Sequence, residues 1–318
     1  MKKTTASDQL LCEHPCVEEE MVPKSFEYFS PGSLSEVLSL LRKYKDDARL
    51  LAGGHSLIPL MKLRLVSPKY VIDLRKIPNL SYVREKGGKL LIGAMTTHRQ
   101  IATSPLIRSK SEILAETAEV IGDPQVRNLG TIGGSIAHAD PAGDYLPTLL
   151  AAGGQLKAIS VRGQKTFKAE DFFHDMFTTA LKQDEILTEI SVPIAPALSG
   201  GTYLKLERKS GDFAVVGVAV QLTLDESNVC NRVKIALGAV GPTVIRAFEA
   251  ENVLRANTVD DALINEAAKR TSDASEPISD LRGSAEYKKE MVRVFTQRAL
   301  VKARDRARSN LHKISGTR

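Results

Sequence analysis

The residues best suited to chemistry lie in two glycine-rich stretches, residues 50–59 and residues 127–141. Each stretch places paired glycines and a small hydroxyl side chain directly after apolar residues. A backbone without side chains can bring its N–H groups close to a phosphate. Two such stretches would together suit a pyrophosphate, which points to a dinucleotide cofactor. Neither contains the G-x-G-x-x-G pattern of a Rossmann site, so the cofactor must be held in another way.

Short strands and helices must position these two stretches. Ser33 and Glu36 form a capping box ahead of an apolar stripe, which predicts a helix from Leu34 to Leu41. No regular βαβ alternation follows, and helices dominate the last third, so the predicted class is α+β. The predicted strands are residues 26–29, 48–51, 70–74, 89–94, 156–161, 186–192, 202–208, 214–224 and 232–240, and the other predicted helices are residues 97–101, 111–120, 145–151, 259–272 and 285–303.

Composition narrows the classes of function. The chain has 318 residues, enough for two domains. It has no Trp, and aromatic residues make up only 5%, which argues against stacking platforms for nucleic acid. No apolar run of about eighteen residues occurs, so no membrane span is predicted. The three cysteines and the absence of a secretory signal pattern predict a cytoplasmic protein.

Both ends of the chain differ from its middle. Residues 1–21 are expected to be a disordered leader. Within it, Cys12, His14 and Cys16 suggest part of a metal site, but a closed zinc site needs four ligands, so no metal is predicted. Residues 302–318 hold much of the net charge of +6. A solvated, partly frayed basic tail, assigned to residues 304–318, is expected there rather than a nucleic-acid site.

Four motifs in a fixed order resemble a known family. They are Ala-Gly-Gly-His-Ser at residues 52–56, Arg-Asn-Leu-Gly-Thr-Ile-Gly-Gly at 127–134, Ala-Asp-Pro-Ala-Gly-Asp at 139–144 and Gly-Asp-Phe-Ala at 211–214. Either glycine motif alone is a weak signal, but the ordered set is specific. It resembles the FAD-binding medium subunit of molybdenum hydroxylases, the xanthine dehydrogenase and carbon monoxide dehydrogenase group. The likeness extends over residues 22–303.

The resemblance implies a domain plan. A two-subdomain FAD-binding fold of the vanillyl-alcohol-oxidase (PCMH) type is expected over residues 22–197, with FAD clasped between subdomains at residues 22–77 and 78–197. A C-terminal α+β domain, with a small antiparallel sheet and a helical bundle, is expected over residues 198–303. Residues 193–201 are rich in Pro, Gly and Ala and form the predicted linker between the two.

The resemblance also implies a role as an oxidoreductase subunit. In this family a molybdopterin-containing large subunit oxidises the substrate, and a small subunit with two [2Fe–2S] clusters carries the electrons to FAD. The medium subunit then passes them to an external acceptor, and the usual assembly is a dimer of heterotrimers, a heterohexamer. Neither the substrate nor the terminal acceptor can be inferred from this chain.

Two other functions compete with this one. A self-contained FAD-dependent oxidase of the vanillyl-alcohol-oxidase type would need its own substrate site, and the short C-terminal domain shows no base-bearing pocket. A scaffold that has lost FAD would not need the glycines of both stretches. No catalytic side chain is predicted. Residues 89–122 contain no cysteine, so the [4Fe–4S] cluster of some relatives is not expected either.

The residues implied to hold the FAD pyrophosphate come from the two glycine stretches. In the first, backbone N–H groups and the Ser56 hydroxyl would face the phosphates, and His55 is expected to lie near them without a covalent bond to flavin. In the second, Thr131 would hydrogen-bond a phosphate oxygen. The full set is Ala52, Gly53, Gly54, His55, Ser56, Leu57, Thr131, Gly133, Gly134 and Ser135.

A further group is implied around the ribityl chain and the flavin ring: Ile121, His138, Asp144, Ile186, Leu187, Lys205 and Phe213. Asp144 would accept hydrogen bonds from the cofactor, with a structural cap as the alternative. Lys205 would place positive charge beside the ring, with a surface lysine as the alternative. His138 and Ile121 are equally compatible with structural roles. Phe213 replaces the Tyr of many relatives at a position that would govern access of the acceptor to the ring.

Overall fold

A three-stranded parallel sheet begins the fold in the computed structural model, which describes residues 22–315 and the side chains of residues 22–310. Its strands are β1 (Glu27–Phe29), β2 (Ala48–Leu51) and β3 (Tyr70–Asp73), in the order β1-β3-β2. Helix α1 (Leu34–Tyr44) connects β1 to β2, and α2 (Leu57–Lys62) follows β2. Because β2 is an edge strand, the glycine stretch that follows it leaves the sheet at its border.

The N-cap that predicted α1 is present, but the second bond of the predicted capping box goes to the residue before the cap instead of to Ser33 itself. The Glu36 N–H donates to Ser33 Oγ at 3.3 Å, and the Glu36 carboxylate accepts from the Gly32 N–H at 3.0 Å. The apolar stripe packs inward, where Val37 and Ile72 are completely buried. Local capping and apolar periodicity therefore agree for this element.

The second part of the fold is a five-stranded antiparallel sheet flanked by six helices, with strand order β4-β5-β10-β6-β7. A two-stranded hairpin, β8 and β9, precedes the central strand β10. The bounds are β4 (Val83–Lys86), β5 (Lys89–Gly93), α3 (His98–Thr103), α4 (Pro105–Lys110), α5 (Glu112–Glu119), α6 (Pro124–Leu129), α7 (Ile132–His138), α8 (Tyr145–Ala152), β6 (Gln155–Ser160), β7 (Gly163–Lys168), β8 (Phe173–Asp175), β9 (Thr178–Thr179) and β10 (Ile186–Pro193).

The C-terminal part is a four-stranded antiparallel sheet, ordered β11-β12-β13-β14, with three helices. The bounds are β11 (Ser199–Leu206), β12 (Val216–Leu224), β13 (Cys230–Gly238), β14 (Ile245–Arg246), α9 (Phe248–Leu254), α10 (Asp261–Asp273) and α11 (Ala285–Ser315). Together with the two sheets and their helices before it, this part confirms the α+β prediction. None of the helices in residues 22–315 is long and apolar enough to cross a membrane.

The predicted linker is shorter than expected. Strand β10 extends to Pro193 and β11 begins at Ser199, so only residues 194–198 connect them. Gly200 and Gly201 lie in β11 and are buried. A side chain on Gly200 would overlap the Ala303 carbonyl of α11, so this glycine permits close packing of helix on sheet.

The prediction of a solvated, partly frayed basic tail from Lys302 is wrong for the part that the structure describes. Helix α11 continues to Ser315. Lys302 and Arg306 pair with Glu116 of α5 at 2.9 and 2.5 Å, and Arg304 pairs with Asp261 at 2.6 Å. These carboxylates are far away in sequence, so composition alone did not reveal them. The predicted leader, with Cys12 and Cys16, lies outside the described residues.

Four carboxylates of the first two sheets and their helices accept cations from the C-terminal part of the described chain. Two of them each bind a pair of cations, and the other two bind one each. The contacts are Glu112 with Arg306, Glu116 with Lys302 and Arg306, Asp144 with Lys205, and Glu170 with Lys234 and Arg246. Charged contacts of this kind fix the orientation in which the C-terminal sheet meets the rest of the chain.

Candidate functional site

A cavity of about 690 Å³ lies between the glycine stretch after β2, the start of α7 and the beginning of β10. It brings the two glycine stretches together, although they are far apart in sequence. The predicted site residues that line it are Ala52, Gly53, Gly54, His55, Ser56, Leu57, Thr131, Gly133, Gly134, Ser135, His138, Ile186 and Leu187. Four others, Ile121, Asp144, Lys205 and Phe213, are not among its lining residues.

The first glycine stretch is a loop whose backbone donors are free. Within residues 22–315, the N–H groups of residues 53–56 make no hydrogen bond to the protein, whereas the Ile58 N–H bonds back to the Gly54 carbonyl at 3.0 Å. Gly54 has φ of +79°, a conformation that favours glycine. A row of unpaired N–H groups on a cavity wall is a binding site for an anion.

The paired glycines of the second stretch, Gly133 and Gly134, lie in the first turn of helix α7, which corrects the prediction of a loop. Thr131 is its N-cap, and the Gly134 N–H donates to Thr131 Oγ1 at 3.2 Å. The Ile132 and Gly133 N–H groups donate to carbonyls within residues 94–96 at 3.0 and 2.8 Å. The backbone N–H groups expected to face a phosphate here are therefore already used by the protein.

The N-terminal part of α7 instead contributes side-chain hydroxyl groups to the cavity lining. Thr131 Oγ1 accepts a hydrogen bond, which leaves its own hydroxyl hydrogen available to donate. The Ser135 hydroxyl lines the cavity and has no hydrogen-bond partner within residues 22–310. A phosphate contact by Thr131 stays a prediction, and its geometry permits one.

The paired glycines have different structural roles. A Cβ on Gly53 would overlap the Leu129 carbonyl oxygen and lie 2.6 Å from the Gly130 Cα, and a Cβ on Gly133 would lie 2.6 Å from the Ala94 carbonyl oxygen. Both positions therefore need glycine because backbones pack together there. A Cβ on Gly134 would meet only the N-cap hydroxyl, at 2.8 Å, and one methyl group at 3.5 Å. Gly134 therefore faces open space on the cavity side.

One end of the cavity is aromatic and apolar. The His138 ring lies 5.0 Å from the Phe177 ring, and burial lowers the pKa of His138 below its ordinary value, so this imidazole is neutral near pH 7. Ile186 and Leu187 of β10 are also buried and line the same cavity. Such a surface suits a planar heterocycle better than a phosphate.

Asp144 and Lys205 form a buried ion pair outside the cavity lining. Asp144 Oδ1 accepts from the Tyr203 hydroxyl at 2.6 Å, and Oδ2 accepts from Lys205 Nζ at 3.2 Å. Lys205 Nζ also donates to the Val120 carbonyl at 3.1 Å and lies 3.5 Å from Glu207. Burial raises the pKa of Asp144, and the Lys205 ammonium offsets part of this increase. Lys205 is not a surface lysine, because its side chain is buried. Asp144 is not a structural cap either, because its side chain makes no cap hydrogen bond.

Ile121 and Phe213 lie near this ion pair. Arg127 donates to the Ile121 carbonyl at 3.0 Å and to the next carbonyl at 2.8 Å, and Lys205 holds the carbonyl before it. The turn at Gly211 packs against residue 122, since a Cβ there would lie 3.0 Å from its carbonyl oxygen. Phe213 follows that turn and is 51% exposed. The four residues missing from the cavity thus form a second group at the junction with the C-terminal sheet.

Known proteins resemble this chain over most of its length. A family model for the FAD binding domain in molybdopterin dehydrogenase matches residues 24–195, and one for the CO dehydrogenase flavoprotein C-terminal domain matches residues 201–303. The carbon monoxide dehydrogenase medium chain of Hydrogenophaga pseudoflava is 40% identical over 88% of this chain and 97% of its own length.

Two further relatives extend this comparison. Subunit alpha of the 6-hydroxypseudooxynicotine dehydrogenase complex of Paenarthrobacter nicotinovorans is 37% identical over 91% of this chain and 97% of its own length. A solved structure of the Hydrogenophaga pseudoflava carbon monoxide dehydrogenase superposes with a TM-score of 0.88 at 41% identity, covering 90% of this chain and 99% of the other.

The chain belongs to the FAD-binding medium chains of molybdopterin dehydrogenases. Its cofactor is FAD, and it is an oxidoreductase subunit. The residues of the cavity fit that cofactor. The free N–H groups of residues 53–56 suit a pyrophosphate, and the apolar lining residues Ile186 and Leu187 suit a ring.

Sequence reasoning on this medium chain missed several lining residues. His98, Met95 and Phe177 all face the cavity, yet none belongs to a glycine motif. For His98 a signal existed, because the capping box of Thr97 and Gln100 fixes the start of α3 and so the place of the next residue. Nothing local predicted that this helix start would meet the second glycine stretch.

Proposed function

We propose that this medium chain carries FAD between the [2Fe–2S] clusters of a partner subunit and an external electron acceptor. The observation that carries the proposal is the row of unpaired N–H groups at residues 53–56, which lies beside the hydroxyl-bearing start of α7 in the lining of one cavity. Bound FAD supplies the redox chemistry, since a flavin exchanges electrons singly or in pairs. The protein binds, orients and tunes it.

Different residues of the cavity would contact different parts of the cofactor. The N–H groups of Gly53, Gly54, His55 and Ser56 would hold the pyrophosphate, and the hydroxyls of Thr131 and Ser135 would add donors from the adjacent start of α7. Because these donors are fixed by backbone packing, they need little reorganisation when an anion binds. Ala52, Leu57, Gly133 and Gly134 shape the walls, while His138, Ile186 and Leu187 would cover apolar parts of the cofactor.

The second group of residues would act at the flavin end. The Lys205 ammonium is held by Asp144 and would place a fixed positive charge on that side of the site. The chain's own residues keep water away from this ammonium, because its side chain is only 3% exposed. Ile121 would add an apolar contact. Phe213, half exposed, would stand between the site and an acceptor arriving from solution.

The proposed partners are a molybdopterin-containing large subunit and a small subunit with two [2Fe–2S] clusters, assembled as a dimer of heterotrimers in the cytoplasm. Their support is the family to which the chain belongs. The substrate stays open. Relatives named for carbon monoxide and for 6-hydroxypseudooxynicotine are 40% and 37% identical to this chain, so similarity does not separate their substrates.

Native purification tests this proposal. The chain is isolated from its own cells, the co-purifying subunits are identified by mass spectrometry, and an absorption spectrum records flavin and iron–sulfur bands. We expect one molybdopterin-binding subunit and one [2Fe–2S] subunit, and the large subunit would narrow the substrate. A lone yellow protein that oxidises a substrate unaided would overturn the proposal in favour of a self-contained oxidase.

A further inference from the structure

His98 is a cavity residue that the bound-cofactor description above does not use. It is the first residue of α3, lines the same cavity as the glycine stretches, and is only 4% exposed. Its backbone N–H donates to the Gly130 carbonyl at 3.0 Å, which ties it to the second stretch. Its side chain makes no hydrogen bond within residues 22–310, and Nδ1 is fully buried without a partner.

The orientation of the ring is fixed by its neighbours. A Cβ on Gly130 would lie 2.6 Å from His98 Nε2, so the Nε2 edge of the imidazole rests against the cavity wall at Gly130. Tyr145 stacks at a tilt on the ring, with centroids 5.4 Å apart. The Tyr145 hydroxyl is also buried without a partner, so it does not satisfy Nδ1.

These surroundings determine where the ring proton lies. Burial lowers the pKa of His98 to about 4, with help from the nearby charges of His55 and Arg127, so the imidazole is neutral near pH 7. A buried N–H without an acceptor is rarer in proteins than a buried acceptor without a donor. The proton therefore belongs on Nε2 rather than on the orphaned Nδ1, and Nε2 becomes a hydrogen-bond donor beside Gly130.

We propose that His98 is a further FAD-binding residue, which donates a hydrogen bond from Nε2–H to a phosphoryl oxygen of the pyrophosphate. The inference rests on the proposed binding of the pyrophosphate at residues 53–56. His55 of that loop is close enough to act electrostatically on His98, and Thr131 follows Gly130 directly. A neutral donor on the wall between these two groups complements an anion that both of them face.

Two isosteric variants separate the two ring nitrogens. The amide nitrogen of Gln reaches the position of Nε2, whereas that of Asn reaches the position of Nδ1. The full chain, purified in the assembly in which it occurs, is stripped of FAD and titrated with FAD while flavin fluorescence is followed. We expect H98Q to stay within a few-fold of wild type, and H98N to raise the Kd by about 10- to 100-fold, the effect of losing a hydrogen bond to a charged group.

Two controls keep the result interpretable. Y145F removes the other orphaned polar atom beside the ring without touching the cavity, and it should leave FAD affinity unchanged. Riboflavin lacks the pyrophosphate, so H98N should weaken FAD binding without weakening riboflavin binding. The ratio of the FAD affinity to the riboflavin affinity of H98N therefore distinguishes a lost phosphate contact from a damaged fold.

Each outcome decides between the proposals. Equal FAD affinity for H98N and wild type, equal loss in H98N and H98Q, or a parallel loss of riboflavin binding would each overturn the role of His98. A wild-type protein that fails to bind FAD in the same titration would instead overturn the proposed function.

Discussion

The same substitution at the two adjacent glycines of α7 should affect two different properties of the protein, its stability at one position and its FAD affinity at the other. Gly133 and Gly134 are adjacent in one helix and one sequence motif, yet only Gly133 is buried against another backbone. We predict that Gly133→Ala destabilises the protein, whereas Gly134→Ala leaves its stability nearly unchanged and weakens FAD binding.

The contacts at each site set the magnitude. In G133A the new Cβ lies 2.6 Å from the Ala94 carbonyl oxygen and 2.5 Å from the Ala94 Cβ, and it must break or stretch the 2.8 Å bond from the Gly133 N–H to that carbonyl. Overpacking of a dense core costs about 1–3 kcal/mol, and a lost hydrogen bond about 1 kcal/mol. Alanine regains about 1 kcal/mol through its helix propensity. The net loss is therefore about 1–3 kcal/mol.

In G134A the same propensity gain of about 1 kcal/mol is opposed mainly by a 2.8 Å contact with the Thr131 hydroxyl, which rotates easily. Stability should change by less than about 1 kcal/mol. The new methyl group does, however, enter the cavity where the cofactor must approach the backbone, so the Kd for FAD should rise.

Urea unfolding of FAD-free protein measures the stability of both variants, and flavin fluorescence titration measures their Kd. The two readouts should separate, with G133A low in stability and G134A low in affinity. Equal unfolding free energies for the two variants would refute the argument that Gly133 is required by backbone packing. Wild-type affinity in G134A would show that the cofactor does not approach α7.

Three further predictions concern charged groups. E116Q removes the carboxylate charge that Arg306 faces and should cost about 1–2 kcal/mol in urea unfolding. Burial raises the pKa of Glu116, but hydrogen bonds from its cationic partners outweigh burial, so the pKa is lowered on folding. The stability difference between E116Q and wild type should therefore be present above pH 4.5 and fade in more acidic buffer. A difference that stays constant with pH would contradict this prediction. K205M leaves the Asp144 carboxylate buried without its cation and should lose about 3–5 kcal/mol, with partial recovery in the double variant K205M/D144N. Strictly additive losses in that cycle would argue against an ion pair. The pKa of His98 falls from 6.5 in the unfolded chain to about 4 in the folded protein. Between these two pH values the unfolded chain holds a proton on His98 that the folded protein does not, so the free energy of unfolding should drop by about 3 kcal/mol as the pH falls from 6.5 to 4. H98Q should lack this part of the pH profile, and an unchanged profile would mean that His98 is not the group responsible.

Helices with local signals were the easiest to predict. Ser33 with Glu36 placed the start of α1 correctly, because a cap and an apolar stripe are properties of neighbouring residues. Strand β7 was missed, since only Phe167 of its six residues is buried and the rest show no apolar pattern. Its pairing with β6 supplies the order that its own sequence does not indicate.

The candidate site likewise has features that local sequence predicted and features that depend on residues distant in sequence. Motifs at residues 52–57 and 131–135 identified lining residues of the cavity, because glycines beside hydroxyl residues are needed for a specific backbone geometry. The same motifs did not indicate that α7 had already used its N–H groups, which depends on carbonyls at residues 94–96. Asp144 and Lys205 were named from resemblance, and only the structure placed them in one ion pair.

The sequence by itself determined the family, the cofactor and the two stretches that form the cavity, since these depend on residue types that must recur at fixed local spacing. The tertiary structure decided which donors are free, which glycines serve packing, where His98 lies and how the last helix is held. Hydrogen-bond partners and counter-charges are contributed by residues distant in sequence, such as Arg306 for Glu116 and Gly130 for His98. Whether a polar group is satisfied or available depends on those partners, and folding alone brings them together.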